Sequence, residues 1–382
     1  MKCLRQRLLN DLESARGLAT EMGILAGYSG SGAFLRMLRK DDGEIKYFDG
    51  FVKVVRAMYP KDYLQYLSEF ALALHPNKLT ARNMLEFLSL NRQLDSLKAL
   101  IDNMENSRSN KDWAKAYSIQ YDYQKSYPSI DMNEMLKRIK EMRTSDIELG
   151  IYLNILKSHC YYQKGKFDRM MTVAEDIIED LELVDHDYLI EMYKVKFNQT
   201  MSAVKLRVYN KPVESREYVD SIINSEIQIG DTFKAYAYFV KGYSYLFTSY
   251  ELAKKYLQES LSLYESTNNE VIINDLKEKL ETVEVYWGKC EGECTYLKNK
   301  LLKTLKSGEN IIPQLEENKD KIDLPFYLFL KGSYEKNDTV LMDSMFNYIQ
   351  VGDAFLANFP RESAINNGYS ESVINNLFKI IS

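Results

Sequence analysis

The stretch Tyr238-Phe239-Val240-Lys241-Gly242-Tyr243-Ser244-Tyr245, followed by Ala253, Leu257 and Ser260, decides how this chain folds. A small residue, a large one three positions on and another small one in the next segment form the register in which two helices cross closely. Composition extends that reading to the whole chain. Among 382 residues there are only 7 Pro and 17 Gly, so helix breakers are scarce, while 29 Tyr far exceed the usual share. Hydrophobic residues at 45% and charged residues at 27% make an ordinary globular mix. The expectation is an all-α protein, which argues against a large sheet and a doubly wound nucleotide-binding enzyme.

Working outward, a second copy of the register begins near Phe329-Leu330-Lys331-Gly332, and a weaker one near Leu156-Lys157-Ser158 with Tyr161. Small–large–small spacing of this kind resembles tetratricopeptide repeats, but the copies do not fall at multiples of about 34 residues, so the repeat is degenerate. From residue 46 onward, helical segments alternate with breaks at Pro60, Pro76, Pro128, Gly165, Pro212, Gly230 and Gly308. Helices are expected over 187–209, 213–228, 231–247, 250–266, 323–336 and 339–350 among others, with none assigned to 307–322 or 351–369. Serial helical hairpins stack into a degenerate, right-handed α-solenoid over residues 46–369. Some of its tyrosines, such as Tyr236, Tyr238 and Tyr243, would line a concave groove suited to a peptide.

Residues 1–45 read as a separate DNA-binding segment. Leu4, Leu8, Leu9, Leu12 and Ala15 follow helical spacing, and Gly17 is expected to end that run. In the next helix Ala19 permits a close crossing, Gly23 makes the turn and Ile24 plugs the angle. A polar start at Ser29 or Ser31 caps the helix that carries Arg36, Arg39 and Lys40. This is the recipe of a helix-turn-helix, with Ser29 and Ser31 near base edges and Arg36, Arg39 and Lys40 on bases or phosphates. The charge distribution agrees: residues 1–60 hold 10 Lys and Arg against 7 Asp and Glu, the remainder 40 against 48. Residues 370–382 form a final amphipathic helix, whose apolar Val373, Ile374, Leu377, Phe378 and Ile381 either cap the stack or pair two subunits.

Catalytic chemistry is hard to place here. The three histidines, His75, His159 and His186, are read as structural. Cys290 and Cys294 are four apart but lack a second pair or a nearby histidine, so no metal site is expected. Phosphate loops, nucleophile elbows and HExxH are missing, and no cofactor is expected. With a charged start, only four cysteines and no apolar stretch of membrane-spanning length, the chain reads as a cytoplasmic protein that makes no membrane contact.

The N-terminal helix-turn-helix, the degenerate tetratricopeptide body and the length together resemble the peptide-sensing regulators of Gram-positive bacteria. Within them the chain is most similar to the AimR arbitrium receptors of Bacillus temperate phages. That likeness rests on Phe51-Val52-Lys53-Val54-Val55 with Tyr59-Pro60, Ala81-Arg82-Asn83-Met84-Leu85-Glu86, Ala99-Leu100-Ile101-Asp102-Asn103-Met104, Leu246-Phe247-Thr248-Ser249-Tyr250-Glu251-Leu252-Ala253 and Leu330-Lys331-Gly332, in one order. The resemblance implies a homodimer that binds an inverted-repeat operator in double-stranded DNA and responds to a short secreted peptide, steering lysis against lysogeny. It further implies that Asp353 contacts the peptide, a carboxylate suited to a peptide arginine. Family asparagines fall here on Ala203, Tyr243 and Arg207, and a family arginine falls near Thr232. The peptide-site candidates are therefore Gln199, Arg207, Thr232, Tyr236, Tyr243 and Asp353. A Rap-like protein that captures another protein without binding DNA is the alternative.

Overall fold

The computed structural model describes residues 4–40, 44–126, 129–185, 187–227, 229–265 and 269–381, with side chains for all of these except 16 and 377–381. Every regular element among the described residues is a helix, as expected. The chain divides into two units, Met1–Phe197 with Ser225–Gly230, and Asn198–Asn224 with Asp231–Ser382.

The first unit opens with α1 (Leu4–Glu13), α2 (Arg16–Leu25) and α3 (Ser31–Leu38). It continues through α4 (Phe48–Met58), α5 (Tyr63–Leu72), α6 (Leu79–Leu90), α7 (Leu94–Met104) and α8 (Lys111–Ser126). Next come α9 (Met132–Glu141), α10 (Ile147–Gln163) and α11 (Phe167–Glu182). Helix α12 (Tyr188–Arg207) begins in this unit and ends in the second. The second unit adds α13 (Pro212–Ile223), α14 (Asp231–Tyr243), α15 (Tyr250–Glu265), α16 (Glu270–Tyr286) and α17 (Leu297–Ser307). It closes with α18 (Ile312–Glu317), α19 (Leu324–Glu335), α20 (Asp338–Gln350), α21 (Asn358–Asn366) and α22 (Glu371–Ile381).

The three stretches singled out in the sequence lie on the first helices of α10–α11, α14–α15 and α19–α20, each an extensively packed pair. In α14–α15 the reason is direct. A Cβ on Gly242 would stand 2.8 Å from the Leu257 nitrogen and 3.0 Å from the Ala253 oxygen, so only hydrogen fits where the backbones meet. Gly332 repeats this in α19–α20, where a Cβ would lie 3.0 Å from the Leu341 nitrogen. A hydrogen bond across each pair fixes the register. The buried Ser260 Oγ donates to the Ala235 carbonyl at 2.7 Å, and the buried Ser344 Oγ donates to the Pro325 carbonyl at 2.7 Å. The spacing is the same in both pairs: the acceptor lies seven residues before the glycine and the serine three after the leucine. Ser215 makes the corresponding bond from α13 to the Ser202 carbonyl in α12, also at 2.7 Å.

The break expected at Pro212 falls just before it, at residues 208–211, and Pro212 itself opens α13, where its fixed φ suits a first helical residue whose N–H would have no helical partner. Local expectations fail in two places. Helix α13 stops at Ile223, well short of 228. Helices α18 and α21 occupy stretches assigned none, because Pro313 and Pro360 sit in first turns, where proline is tolerated.

In the first unit the core surrounds an ion pair. Glu86 is fully buried; it accepts from Tyr117 Oη at 2.5 Å and pairs with Lys196 Nζ at 2.7 Å. The rings of Tyr117, Tyr152 and Tyr193 stack beside it at centroid separations of 4.5 and 5.3 Å. The Tyr117 hydroxyl is held well above its usual pKa by burial and then by the Glu86 charge, so it remains a proton donor.

Replacing Gly242 by Ala should destabilise the protein by about 1–3 kcal/mol, since the clash is with backbone and outweighs the ~1 kcal/mol of helix propensity gained. Gly150→Ala in α10, where nothing lies within 4 Å of the added Cβ, should instead stabilise, by up to about 1 kcal/mol. Urea unfolding midpoints of the two variants should move in opposite directions; a shared direction would contradict the packing argument. A pH dependence follows from His159, which lies 2.9 Å from Tyr123 Oη and whose pKa burial lowers to about 4. Between that value and about 6.5 the unfolded chain binds a proton that the folded chain refuses, so stability falls as pH drops through this window. The loss should reach about 1–3 kcal/mol, and His159→Gln should flatten that part of the profile. Parallel profiles would remove His159 as the cause.

Candidate DNA-contact helix and ligand site

Across their apolar core, a buried cation ties the N-terminal helices together. Arg5 of α1 donates to the Met37 carbonyl at 3.2 Å and to the Lys40 carbonyl, tying α1 to the end of α3, and its guanidinium lies 5.7 Å from the Phe70 ring centroid. The inward stripe of α2 is Ala19, Met22 and Gly23, continued by the C-capping Ala26, spaced for one helix face.

Several details depart from the sequence reading. Gly17 lies in the first turn of α2, because α1 has already ended at Glu13. Gly23 stays helical and serves close packing: a Cβ there would lie 2.8 Å from the Gly30 carbonyl oxygen. The turn comes at Gly27, whose φ of +84° lies in the left-handed region. Ile24 is 61% exposed, since it falls off the inward stripe, and Met22 and Ala26 fill that space instead. Ser29 is exposed in the turn and Ser31 begins α3; the capping position is Gly30, and no side chain caps the helix.

Helix α3 buries Phe34, Met37 and Leu38 and turns the opposite face outward. Along that outward stripe lie Gly32 and Arg36, continued past the helix end by Arg39 and Lys40, all exposed. Arg39 also pairs with Glu13 at 2.7 Å, with both side chains about half exposed.

The peptide-site candidates all fall in the second unit. Three of them come together. Arg207, at the end of α12, donates to the same Asp353 oxygen through Nε at 3.0 Å and Nη2 at 2.8 Å. The Phe355 amide donates to the Arg207 carbonyl at 3.2 Å, so main chain and side chain both fasten the residues after α20 to α12. The Phe355 ring lies 5.5 Å from that of Tyr243, which stacks on Phe239 at 5.8 Å. Tyr236 joins this ladder through Phe239 at 6.2 Å. Gln199 and Thr232 join it through none of the described contacts; the Thr232 carbonyl accepts from Tyr264 Oη at 3.4 Å.

Burial raises the Asp353 carboxyl above its usual pKa even with Arg207 beside it. Burial, and then the Asp353 charge, also raises the Tyr243 hydroxyl. The carboxylate expected to receive a ligand cation is thus already engaged by the chain's own guanidinium.

Sequence reasoning missed Phe239, Lys279 and Phe355. Lys279 Nζ lies 5.9 Å from the Tyr243 ring centroid and 3.6 Å from Asp275. Phe239 stands four before Tyr243 and was detectable by helical spacing; Lys279 comes from another helix and leaves no local signal. Also unforeseen is a cavity of about 490 Å³ in the same unit, lined by Tyr286, Trp287, Phe329, Phe359 and Glu362 among others. Of the C-terminal candidates, Ile374 is buried, Val373 is half exposed, and the side chains of Leu377, Phe378 and Ile381 lie outside the described residues. Arg361 donates to Asn375 Oδ1 at 2.6 Å, holding α22 to α21. No described helix is long and apolar enough to cross a membrane.

Comparison with known proteins bears on these geometries. The profile of a family described as AimR transcriptional regulator-like matches residues 64–364. The AimR transcriptional regulator of Bacillus phage SPbeta is 25% identical over 378 residues, covering 94% of this chain and 95% of that protein. A solved structure described as SeMet-phAimR superposes with a TM-score of 0.76 at 22% identity, covering 98% of this chain and 100% of the other. One described as phAimR-Ligand superposes with a TM-score of 0.65 at 22% identity, covering 84% and 97%. The matched profile spans most of the sequence, and the chain belongs to the AimR family of transcriptional regulators, which are not enzymes.

Proposed function

We propose that this chain is a peptide-responsive, DNA-binding regulator of the phage choice between lysis and lysogeny. Residues 1–45 are the operator-binding segment, residues 46–369 the peptide-sensing repeat, and residues 370–382 the helix that caps the stack or pairs two subunits. In this reading a peptide-free homodimer binds an inverted-repeat operator and activates transcription, and a short secreted peptide bound at the Asp353 cluster removes or disables that form. The observation that carries the DNA half is the outward stripe of Gly32, Arg36, Arg39 and Lys40 on and just beyond a helix whose other face is buried. A cationic stripe with little side-chain bulk at its start suits entry into a groove and contact with phosphates. The peptide half is supported by the family and by the ligand-bound relative, and by a buried carboxylate beside an aromatic ladder. Coupling is linkage: a peptide that prefers one conformation of the repeat shifts the population that fits the operator.

Reversing charge at Arg36 and Arg39 together should weaken operator binding by at least about tenfold, at about 1–3 kcal/mol per contact, while helicity stays intact. The loss of the Arg39–Glu13 pair costs stability little, because exposed ion pairs contribute roughly 0–1 kcal/mol. A gel-shift titration reads the outcome, and wild-type affinity in the double variant would sink the recognition-helix assignment. Capture of another protein with no DNA affinity would instead favour the Rap-like alternative.

The Arg207–Asp353 pair makes a second prediction. An arginine-bearing peptide must displace Arg207, so Arg207→Ala should tighten its binding, whereas Asp353→Ala should weaken it by about 1.5–3 kcal/mol. Calorimetric titration separates the two. Weaker binding in Arg207→Ala would mean that Arg207 itself holds the peptide.

A further inference from the structure

The loop between α16 and α17 carries two cysteines that no part of the regulatory reading uses. Cys290 Sγ and Cys294 Sγ lie 3.6 Å apart, both as free thiols. Cys290 is half-buried, and Cys294 is buried but borders a shallow groove of about 410 Å³ that also touches Lys300, Lys303, Thr304 and Gln314. Lys303 is anchored over the loop: its ammonium donates to the Cys290 carbonyl at 3.0 Å and to the Gly292 carbonyl, and lies 3.9 Å from Cys290 Sγ. The half-buried Cys290 therefore has a cation beside its sulfur. Burial, and then the hydrogen bond with Cys290, raises the Cys294 thiol above its usual pKa. Among the described residues no third His, Cys, Asp or Glu gathers with them into a metal-holding cluster. Glu281 holds the far side of the loop, accepting from the Thr295 amide at 2.6 Å and the Tyr296 amide at 3.1 Å.

We propose that Cys290 and Cys294 form a reversible dithiol–disulfide site that a hydroperoxide closes. The Cys290 thiolate attacks a peroxide oxygen and breaks the O–O bond; the departing oxygen takes a proton from solvent, leaving a sulfenic acid on Cys290. The Cys294 sulfur then attacks Cys290 Sγ, and the hydroxyl leaves with the Cys294 proton as water. Two thiols and one hydroperoxide become a disulfide, an alcohol (water, for hydrogen peroxide) and one water. The sulfurs lose two electrons and the peroxide gains them. Closure brings the sulfurs from 3.6 Å to about 2.05 Å within one loop. In a reducing compartment the pair rests open, and a thiol reductant reopens it.

The test uses the full chain, reduced, exposed to stoichiometric hydrogen peroxide, alkylated and digested for mass mapping. The peptide carrying both cysteines should escape alkylation, weigh about 2 Da less than its dithiol form, and return to it with dithiothreitol. In Cys294→Ser the reaction should stop at a sulfenic acid on Cys290 that dimedone traps. In Cys290→Ser thiol oxidation at this loop should slow at least about tenfold, because the remaining thiol is buried and protonated. A disulfide to Cys160 or between chains would overturn the proposal, as would sulfinic acid on Cys290 in the unsubstituted chain with no disulfide. The mapping of the unsubstituted chain decides the matter even if a variant folds poorly.

Discussion

Backbone-to-backbone contact between paired helices is the constraint on which the second unit rests. At Gly242 the next helix approaches so closely that one methyl group would meet main-chain nitrogen and oxygen. Such an approach maximises dispersion along the crossing but tolerates no slippage, and the buried Ser260 hydroxyl fixes the register by bonding one carbonyl of the partner helix. The same device recurs at Gly332 with Ser344, so a small residue and a serine act together as a unit. A serine that already accepts burial without an orphaned hydroxyl adds specificity at little energetic cost.

From that rigid packing the geometry of the Asp353 cluster follows. Tyr243 is the residue after Gly242, so the tight crossing at Gly242 also orients the aromatic ladder that ends on Phe355. Phe355 lies two residues past Asp353 and bonds the Arg207 main chain, which places the Arg207 fork on the carboxylate. Removing a carboxylate from water favours its neutral form, and the guanidinium opposes that; burial prevails in the net direction for Asp353. A ligand that offers its own guanidinium must therefore outcompete a partner tethered at high effective concentration. Under the proposed peptide reading, Arg207 would act as a selectivity element.

How much could be read beforehand depended on whether a signal was local. The Gly242 and Gly332 stretches marked two helical pairs correctly because close crossing needs small residues at fixed spacing, and the Ser158 stretch lies on a third packed pair. The helix-turn-helix was recognisable as three short helices, yet its turn was assigned to Gly23 rather than Gly27. Glycine can serve either a turn or a close contact, and only the position of Gly30 distinguishes them. Asp353 and Arg207 were each singled out, but their pairing spans 146 residues, which no periodicity records. Glu86 sits in an unremarkable helical run, and nothing near it announces Lys196 or the tyrosine stack. Helices α18 and α21 were hidden because Pro313 and Pro360 look like breaks until their first-turn positions are known.

The central claim is that ligand binding in the second unit controls DNA binding by the first helices. Its most direct test is the operator affinity of the full chain for DNA flanking its own gene, at fixed salt, with and without short peptides encoded just downstream. The account predicts tight binding that steepens at low salt and that one peptide weakens at least about tenfold. Binding that no peptide alters, or no binding to that DNA at all, would contradict it.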